Sequence, residues 1–167
     1  VYIHLLQGLP KADKMEWIIQ KCVELGVDRI VPVATERTIV KLEKKEGRKL
    51  ERWQKIAEAA AKQSGRGKIP CVGPSVLTFA QAAAEAAKMD GALIPYEKEE
   101  HCGIRTFVQR GTGRHIGVFI GPEGGFSEME IQMAEESGIL PVTLGKRILR
   151  TETAGMVAIA LLLYELG

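Results

Sequence analysis

The chain is poor in cysteine. Cys22, Cys71 and Cys102 are odd in number, far apart and without C-x-x-C spacing, which argues against a disulfide framework or a zinc site. A reduced, intracellular compartment follows as the default, and the cytoplasm is the expected location. Charge of one sign is also lacking: 23 Lys+Arg against 21 Asp+Glu leave a net +2, so partners must be sought in local clusters. No apolar run approaches membrane-spanning length and no signal peptide opens the chain, so a soluble protein with no membrane partner is expected. His4, His101 and His115 have no ligand spacing, and no metal is expected. Internal repeats are absent, and the charged "KLEKKEGRK" at 41 to 49 is the nearest thing to a linker. What remains, 167 residues of which 46% are hydrophobic, suits one well-filled domain. The first residues, "VYIHLLQ" from Val1, already read as a strand and carry no initiator Met, so residues upstream are expected.

Short β-rich runs alternate with longer helical patterns from end to end. This is the signature of an α/β domain with a mostly parallel sheet and helices on both faces. The spacing predicts strands over 1 to 6, 29 to 33, 91 to 96, 115 to 120 and 141 to 144, with a weak one in "CVGPSV" at 71 to 76. A helix is predicted over Lys14 to Leu25, with Asp13 as cap, Glu16 completing a capping box and Gly26 ending it in a left-handed turn. A second runs from about Arg48 to Ser64 with a face of Arg48, Lys49, Arg52, Lys55 and Lys62. Thr78 with Gln81, and Ser127 with Glu130, open further helices. "IRTFVQ" reads as a short helix, and the last helix, from about Thr153 to Leu166, has no charge until Glu165. A helix apolar all round needs cover on more than one side, from the core or from another subunit.

Two corners carry the chemistry. "GPEGGFS" (121 to 127) follows the strand "GVFI" and precedes a helix, the place where open α/β sheets bind ligands. Glycines let the backbone approach a ligand, Pro122 stiffens the turn, and Glu123 is its one charged side chain. The dinucleotide fingerprint G-x-G-x-x-G is absent, as is G-x-x-x-x-G-K-[ST], which counts against a nicotinamide-linked dehydrogenase. "LGKRILRTETAG" (144 to 155) then leaves the last strand, turns at Gly145 and interleaves Lys146, Arg147 and Arg150 with Ile148 and Leu149. Apolar residues among cations in a loop are hard to explain as solvated surface alone.

These residues carry a resemblance. "GPEGGFSEMEI" followed by "LGKRILRTETA" resembles the SPOUT methyltransferases, and "PKADKMEWIIQKCVELGV", "ERT" and "EAAAKQSGR" bring the chain closest to the RsmE-type 16S ribosomal RNA uracil-N3 methyltransferases. The match runs from about Leu9 to the end. It implies a C-terminal trefoil knot, although general rules count knots as rare exceptions. It implies a homodimer that binds S-adenosylmethionine, with 16S ribosomal RNA or the small ribosomal subunit as partner, and an RNA-binding PUA-like domain upstream of this chain.

Carried over by position, three loops would surround the cofactor: "LIPYE" (93 to 97), with Leu93, Ile94 and Pro95; "IGPEGG" (120 to 125), with Ile120, Gly121, Pro122, Glu123, Gly124 and Gly125; and "LGKRIL" (144 to 149), with Leu144, Gly145, Arg147, Ile148 and Leu149, while Thr153 and Ala154 enter the last helix. Ile120, Leu144, Ile148 and Leu149 suit an adenine face. Methyl transfer from a sulfonium is an in-line displacement in which positioning does most of the work. Uracil N3 is protonated at neutral pH, so a group that favours its anion is needed, and Arg150 is the first choice. Glu123, Glu152 or solvent could act as base. For RNA, Arg37, Arg66, Lys68 and Arg147 are the candidates, together with segment 41 to 49 and the basic face of the second helix. Two alternatives stay open: methylation of a ribose 2'-hydroxyl in transfer or ribosomal RNA, and a non-catalytic RNA- or nucleotide-binding domain.

Overall fold

A computed structural model describes every residue except Val40, Lys41 and Glu43, so part of the charged segment 41 to 49 lies outside the described residues. The strands are β1 (Tyr2–Gly8), β2 (Arg29–Ala34), β3 (Cys71–Val72), β4 (Leu77–Thr78), β5 (Gly91–Pro95), β6 (His115–Ile120) and β7 (Leu140–Val142). They form one sheet in the order β3-β2-β1-β6-β5-β7, with β4 also on β2, and every pairing is parallel. The helices are α1 (Lys14–Leu25), α2 (Glu46–Gln63), α3 (Phe79–Ala86), α4 (Ile104–Gln109), α5 (Glu128–Glu136) and α6 (Thr151–Leu166).

Successive strand side chains point to opposite faces, so each strand feeds two cores. Ile3, Leu5, Ile116, Val118 and Ile120 face the layer of α1, α2, α4 and α6. Leu6, Val31 and Phe119 face α3 and α5. Burial on both faces is what a parallel sheet with helical crossovers requires.

Local signals set most element ends. Gly26, at φ 119°, ends α1 in the left-handed region, and both expected capping boxes at Thr78 and Ser127 are made. The expected cap at Asp13 is not: its backbone (φ −88°, ψ 12°) is not extended, so its carboxylate caps nothing. Glu16 pairs instead with Arg52 of α2, which ties the two helices together. The helix α2 starts at Glu46, two residues before the expected Arg48, and Glu46 accepts the Val76 amide at 2.9 Å. Of "CVGPSV" only Cys71–Val72 is strand (β3), because Gly73 sits at φ 103° and Pro74 has no N–H for the ladder; β4 begins just beyond it, at Leu77.

The apolar α6 is covered on one side only. Gly155, Ala158, Ile159 and Leu162 are buried against α1 and the sheet, whereas Leu161 is 39% and Tyr164 79% exposed. Among the described residues no helix is long and apolar enough to cross a membrane.

Candidate functional site

The strand order reverses direction at β1: the chain goes from β1 to β2 on one side, and β6 pairs on the other. A crevice opens there at the carboxyl ends of the strands. Three corners meet around it, after β5, after β6 and between β7 and α6, and they enclose a cleft of ≈ 490 Å³. Lys14, from the first turn of α1, completes the wall.

The corner after β6 is held rigidly. The Gly125 amide donates to the Pro122 carbonyl at 2.9 Å, closing a tight turn, and Gly125 stands at φ 69°, where a side chain would be strained. Phe126 then plunges into the α3/α5 core and meets the edge of Phe79, centroids 5.6 Å apart. Glu130 is buried yet fully engaged. Its Oε1 accepts the Ser127 amide at 3.0 Å, and its Oε2 accepts the Glu36 amide at 3.1 Å. The same carboxylate thus caps α5 and anchors the loop after β2. From that loop Arg37 donates to the Gly124 carbonyl at 2.9 Å. A Cβ at Gly124 would stand 3.1 Å from the Arg37 Cβ, so a larger residue would push this loop away.

The corner before α6 turns at Gly145 (φ 120°), with the Thr143 hydroxyl accepting the Gly145 amide at 3.1 Å. Arg150 is the N-cap of α6. Lys146, Arg147 and Arg150 are exposed and have no ion-pair partner among the described residues. Glu123, on the cleft wall, is already engaged: its Oε1 accepts the Lys11 amide at 2.7 Å and the Lys14 ammonium at 3.1 Å. Burial is the largest single influence on this carboxyl and opposes ionisation. The Lys11 amide, its own amide and the Lys14 ammonium together outweigh it and hold the group below its ordinary 4.5. Glu152, in the first turn of α6, lines the cleft with a buried Oε2 that has no hydrogen-bond partner among the described residues.

Most of the expected site residues come together here: Pro95, Ile120, Gly121 to Gly125, Leu144, Gly145, Arg147 to Arg150, Glu152 and Ala154 all line the cleft. Leu93 and Ile94 do not, because both are wholly buried strand residues beneath it. Thr153 is not among the lining residues. Arg37 reaches the glycine corner, whereas Arg66 and Lys68 lie at the opposite, amino end of the sheet. Arg66 is spent on the carbonyls of Val23 and Val27, at 3.2 and 2.6 Å, with Asp28 beside it. Lys68 lies over the Tyr2 ring at 5.3 Å. Neither belongs to a surface shared with the cleft. Tyr96 and Glu97, within the expected loop, line the cleft too. Sequence reasoning missed Lys14, Thr143 and Thr151 as cleft residues. Thr151 lies within a motif already singled out, but Lys14 is brought in by tertiary packing of α1. Among the described residues no group of three or more His, Cys, Asp or Glu gathers to hold a metal ion.

Comparison with known proteins points in one direction. The family model described as RNA methyltransferase domain matches residues 1–163. Ribosomal RNA small subunit methyltransferase E of Bacillus subtilis (strain 168) is 39% identical over 99% of this chain. The crystal structure of the Neisseria gonorrhoeae protein of that name, bound to S-adenosyl methionine, is 38% identical and superposes over 98% of this chain with a TM-score of 0.90. This chain spans 66% of the length of each. The SpoU methyltransferase AviRb of Streptomyces viridochromogenes, in complex with AdoMet, is 9% identical, covers 99% of this chain and 60% of its own, and has a TM-score of 0.55. At that distance the likeness concerns the fold alone, and it accords with the expected α/β class.

The bonds to Glu123 tie stability to pH. Because its folded value is depressed, their contribution is complete above the ordinary 4.5 and is lost as pH falls through the folded value. Glu123→Gln should therefore flatten the loss of urea stability between pH 6 and pH 3. Equal slopes for variant and parent would detach this carboxylate from the acid limb.

Proposed function

Because the chain belongs to the RNA methyltransferase domain family, we propose that it transfers a methyl group from S-adenosylmethionine to N3 of a uridine in 16S ribosomal RNA. The observation that carries this reading is the meeting of three corners on one cleft, with glycine backbone on its wall and unpaired cations on its rim. The relatives' names and the S-adenosyl methionine in the Neisseria protein support it. Such a substrate places the protein in the cytoplasm.

The residues fit the cofactor. Gly125 and Gly145 have no atom within 4 Å of where a Cβ would stand, so both leave the backbone open to close approach. Ile120, Leu144 and Leu149 supply apolar surface, and ≈ 490 Å³ falls in the usual size range of small-molecule sites. Bound there, S-adenosylmethionine would supply an electrophilic methyl group on a sulfonium. The chain's own task is to hold the acceptor nitrogen in line with it. Arg150, exposed at the N-cap of α6 and without an acid partner among the described residues, is free to face a uracil carbonyl and stabilise the imide anion. Glu123 is a poor base, since its bonds hold it ionised and engaged. Glu152, which lines the cleft and has one carboxylate oxygen without a hydrogen-bond partner among the described residues, or solvent, serves better. Arg147 on the rim and Arg37 beside the glycine corner meet the RNA.

The same proposal includes the knot and the dimer. The helix α6 leaves the sheet edge at β7, starts beneath the Gly121 corner, where Thr151 bonds the Gly121 carbonyl at 2.7 Å, and runs back to α1, a path that threading of the C-terminus would require. The outward face of α6, with Leu161 and Tyr164, lies next to α1, whose Trp17 is 49% exposed. A second copy of the chain would cover this apolar surface.

Calorimetric titration should give saturable S-adenosylmethionine binding near one site per chain, with NADH inert. Arg150→Ala should keep that affinity while turnover falls by about 10²-fold or more, the scale of losing one charge-stabilising donor. Unchanged turnover would remove Arg150 from the reaction, and a methyl found on ribose by nucleoside mass spectrometry would overturn the uracil assignment. Light scattering at micromolar concentration should report a dimer, and a monomer would count against the α6 face.

A further inference from the structure

We infer that Gln7 and Thr151 are positioning residues for the cofactor cradle, acting through the Gly121–Pro122 peptide. The inference rests on reading the cleft as an S-adenosylmethionine site. Gln7 lies at the carboxyl end of β1, in register with Ile120, and is wholly buried. Its Nε2 is 2.9 Å from the Gly8 carbonyl and 2.9 Å from the Thr151 hydroxyl, and that hydroxyl is 2.7 Å from the Gly121 carbonyl.

The donor inventory fixes every direction in this chain. A carbonyl only accepts, so the atom facing Gly8 must be the amide nitrogen, and its two N–H groups go to Gly8 and Thr151. The threonine hydroxyl therefore accepts from Gln7, and its single proton goes to the Gly121 carbonyl. That carbonyl is the only polar handle on its peptide, because Pro122 has no N–H. The next carbonyl, of Pro122, accepts the Gly125 amide. The plane that Thr151 sets thus passes directly to the turn that presents Gly124 and Gly125.

The strand supports the corner from below as well. A Cβ on Gly8 would lie 2.6 Å from Pro122 Cδ and 2.8 Å from Pro122 N, so β1 backbone is pressed against this peptide. Packing alone gives no reason for an amide at position 7. Gln7 Oε1 is buried with no hydrogen-bond partner among the described residues, which costs stability that an apolar side chain would not lose. Its role is to orient the Thr151 hydroxyl, and through it the cradle.

Thr151→Val keeps the side-chain shape and removes the hydroxyl, while Thr151→Ser keeps the hydroxyl. Circular dichroism checks that each variant is folded, and two readouts follow: S-adenosylmethionine affinity by calorimetry, and hydrogen exchange of segment 119–127. Thr151→Val should bind at least about tenfold more weakly and exchange faster in that segment alone, whereas Thr151→Ser should stay within about threefold of the parent. Should Thr151→Val fail to fold, Gln7→Met, which removes the orienting donor without shortening the side chain, is expected to show the same two changes. Unchanged exchange in segment 119–127 would mean that the hydroxyl does not hold the corner. Faster exchange with affinity within about threefold of the parent would overturn the positioning role. A parent chain that binds no S-adenosylmethionine would remove the cofactor reading and the role built on it, while exchange would still judge the bond itself.

Discussion

The parallel pairing of β1 with β6 is the constraint on which the site depends. Their register, from Tyr2 opposite His115 to Gln7 opposite Ile120, brings two strand ends level in the middle of the sheet. Beyond that point the chain leaves β1 toward α1 and leaves β6 toward α5. A one-residue slip would turn Gln7 to the wrong face and exchange the side chains between two filled cores. The register is secured by burial on both sides, since Leu5 and Leu6 enter different cores. The cleft is a consequence of this pairing, lined by whatever residues each strand carries just past its end.

The way the corners are held explains how loops reach the precision that small-molecule recognition needs. Phe126, set against Phe79, which also meets Phe119 at 5.6 Å, drives one end of the glycine corner into the α3/α5 core. Gly8 and Thr151 hold the other end. Between them Glu130 uses both carboxylate oxygens, one on the cap of α5 and one on the loop that carries Arg37. A buried carboxylate is tolerated because backbone amides satisfy it. The result is a flexible-looking, glycine-rich sequence whose backbone has little freedom.

Which parts were legible follows from how local each signal is. The span of α1, the span of β6, the left-handed turn at Gly26 and the boxes at Thr78 and Ser127 depend on neighbours within four residues, and they were read correctly. Asp13 and Glu16 made an equally good local pattern, yet Arg52, 36 residues away, takes Glu16. Arg66 looked like an RNA contact because it stands in a family-like motif, and only the packing of α2 on α1 reveals that its guanidinium binds carbonyls at the far end of the sheet. Leu93 and Ile94 were rightly read as strand, but their full burial beneath the cleft keeps them from the cofactor role that the family pattern suggested. Gln7 gave no signal at all, being one polar residue at the end of an apolar run. Its side-chain partner Thr151 lies 144 residues away in sequence, and a hydrogen-bond relay of that kind has no period and no motif.

Charge around the cleft completes the reasoning. Lys14 is matched by Glu123 and Lys98 by Glu128, so the cations near the cleft left without an acid partner among the described residues include those of the loop before α6 and Arg37. Arg150 among them is exposed, and in water a unit charge acting over 4 Å is worth only about 1 kcal/mol, against about 4 kcal/mol at the effective dielectric of a protein surface. On the proposed reading, the rim alone cannot stabilise a uracil anion enough to matter. The RNA must first cover Arg150 and displace the water around it, and phosphates near Arg147 and Arg37 would hold it there. Binding and chemistry are then coupled: the substrate supplies the low-dielectric cover under which the arginine becomes effective, and a nucleotide too small to span the rim would leave Arg150 in water.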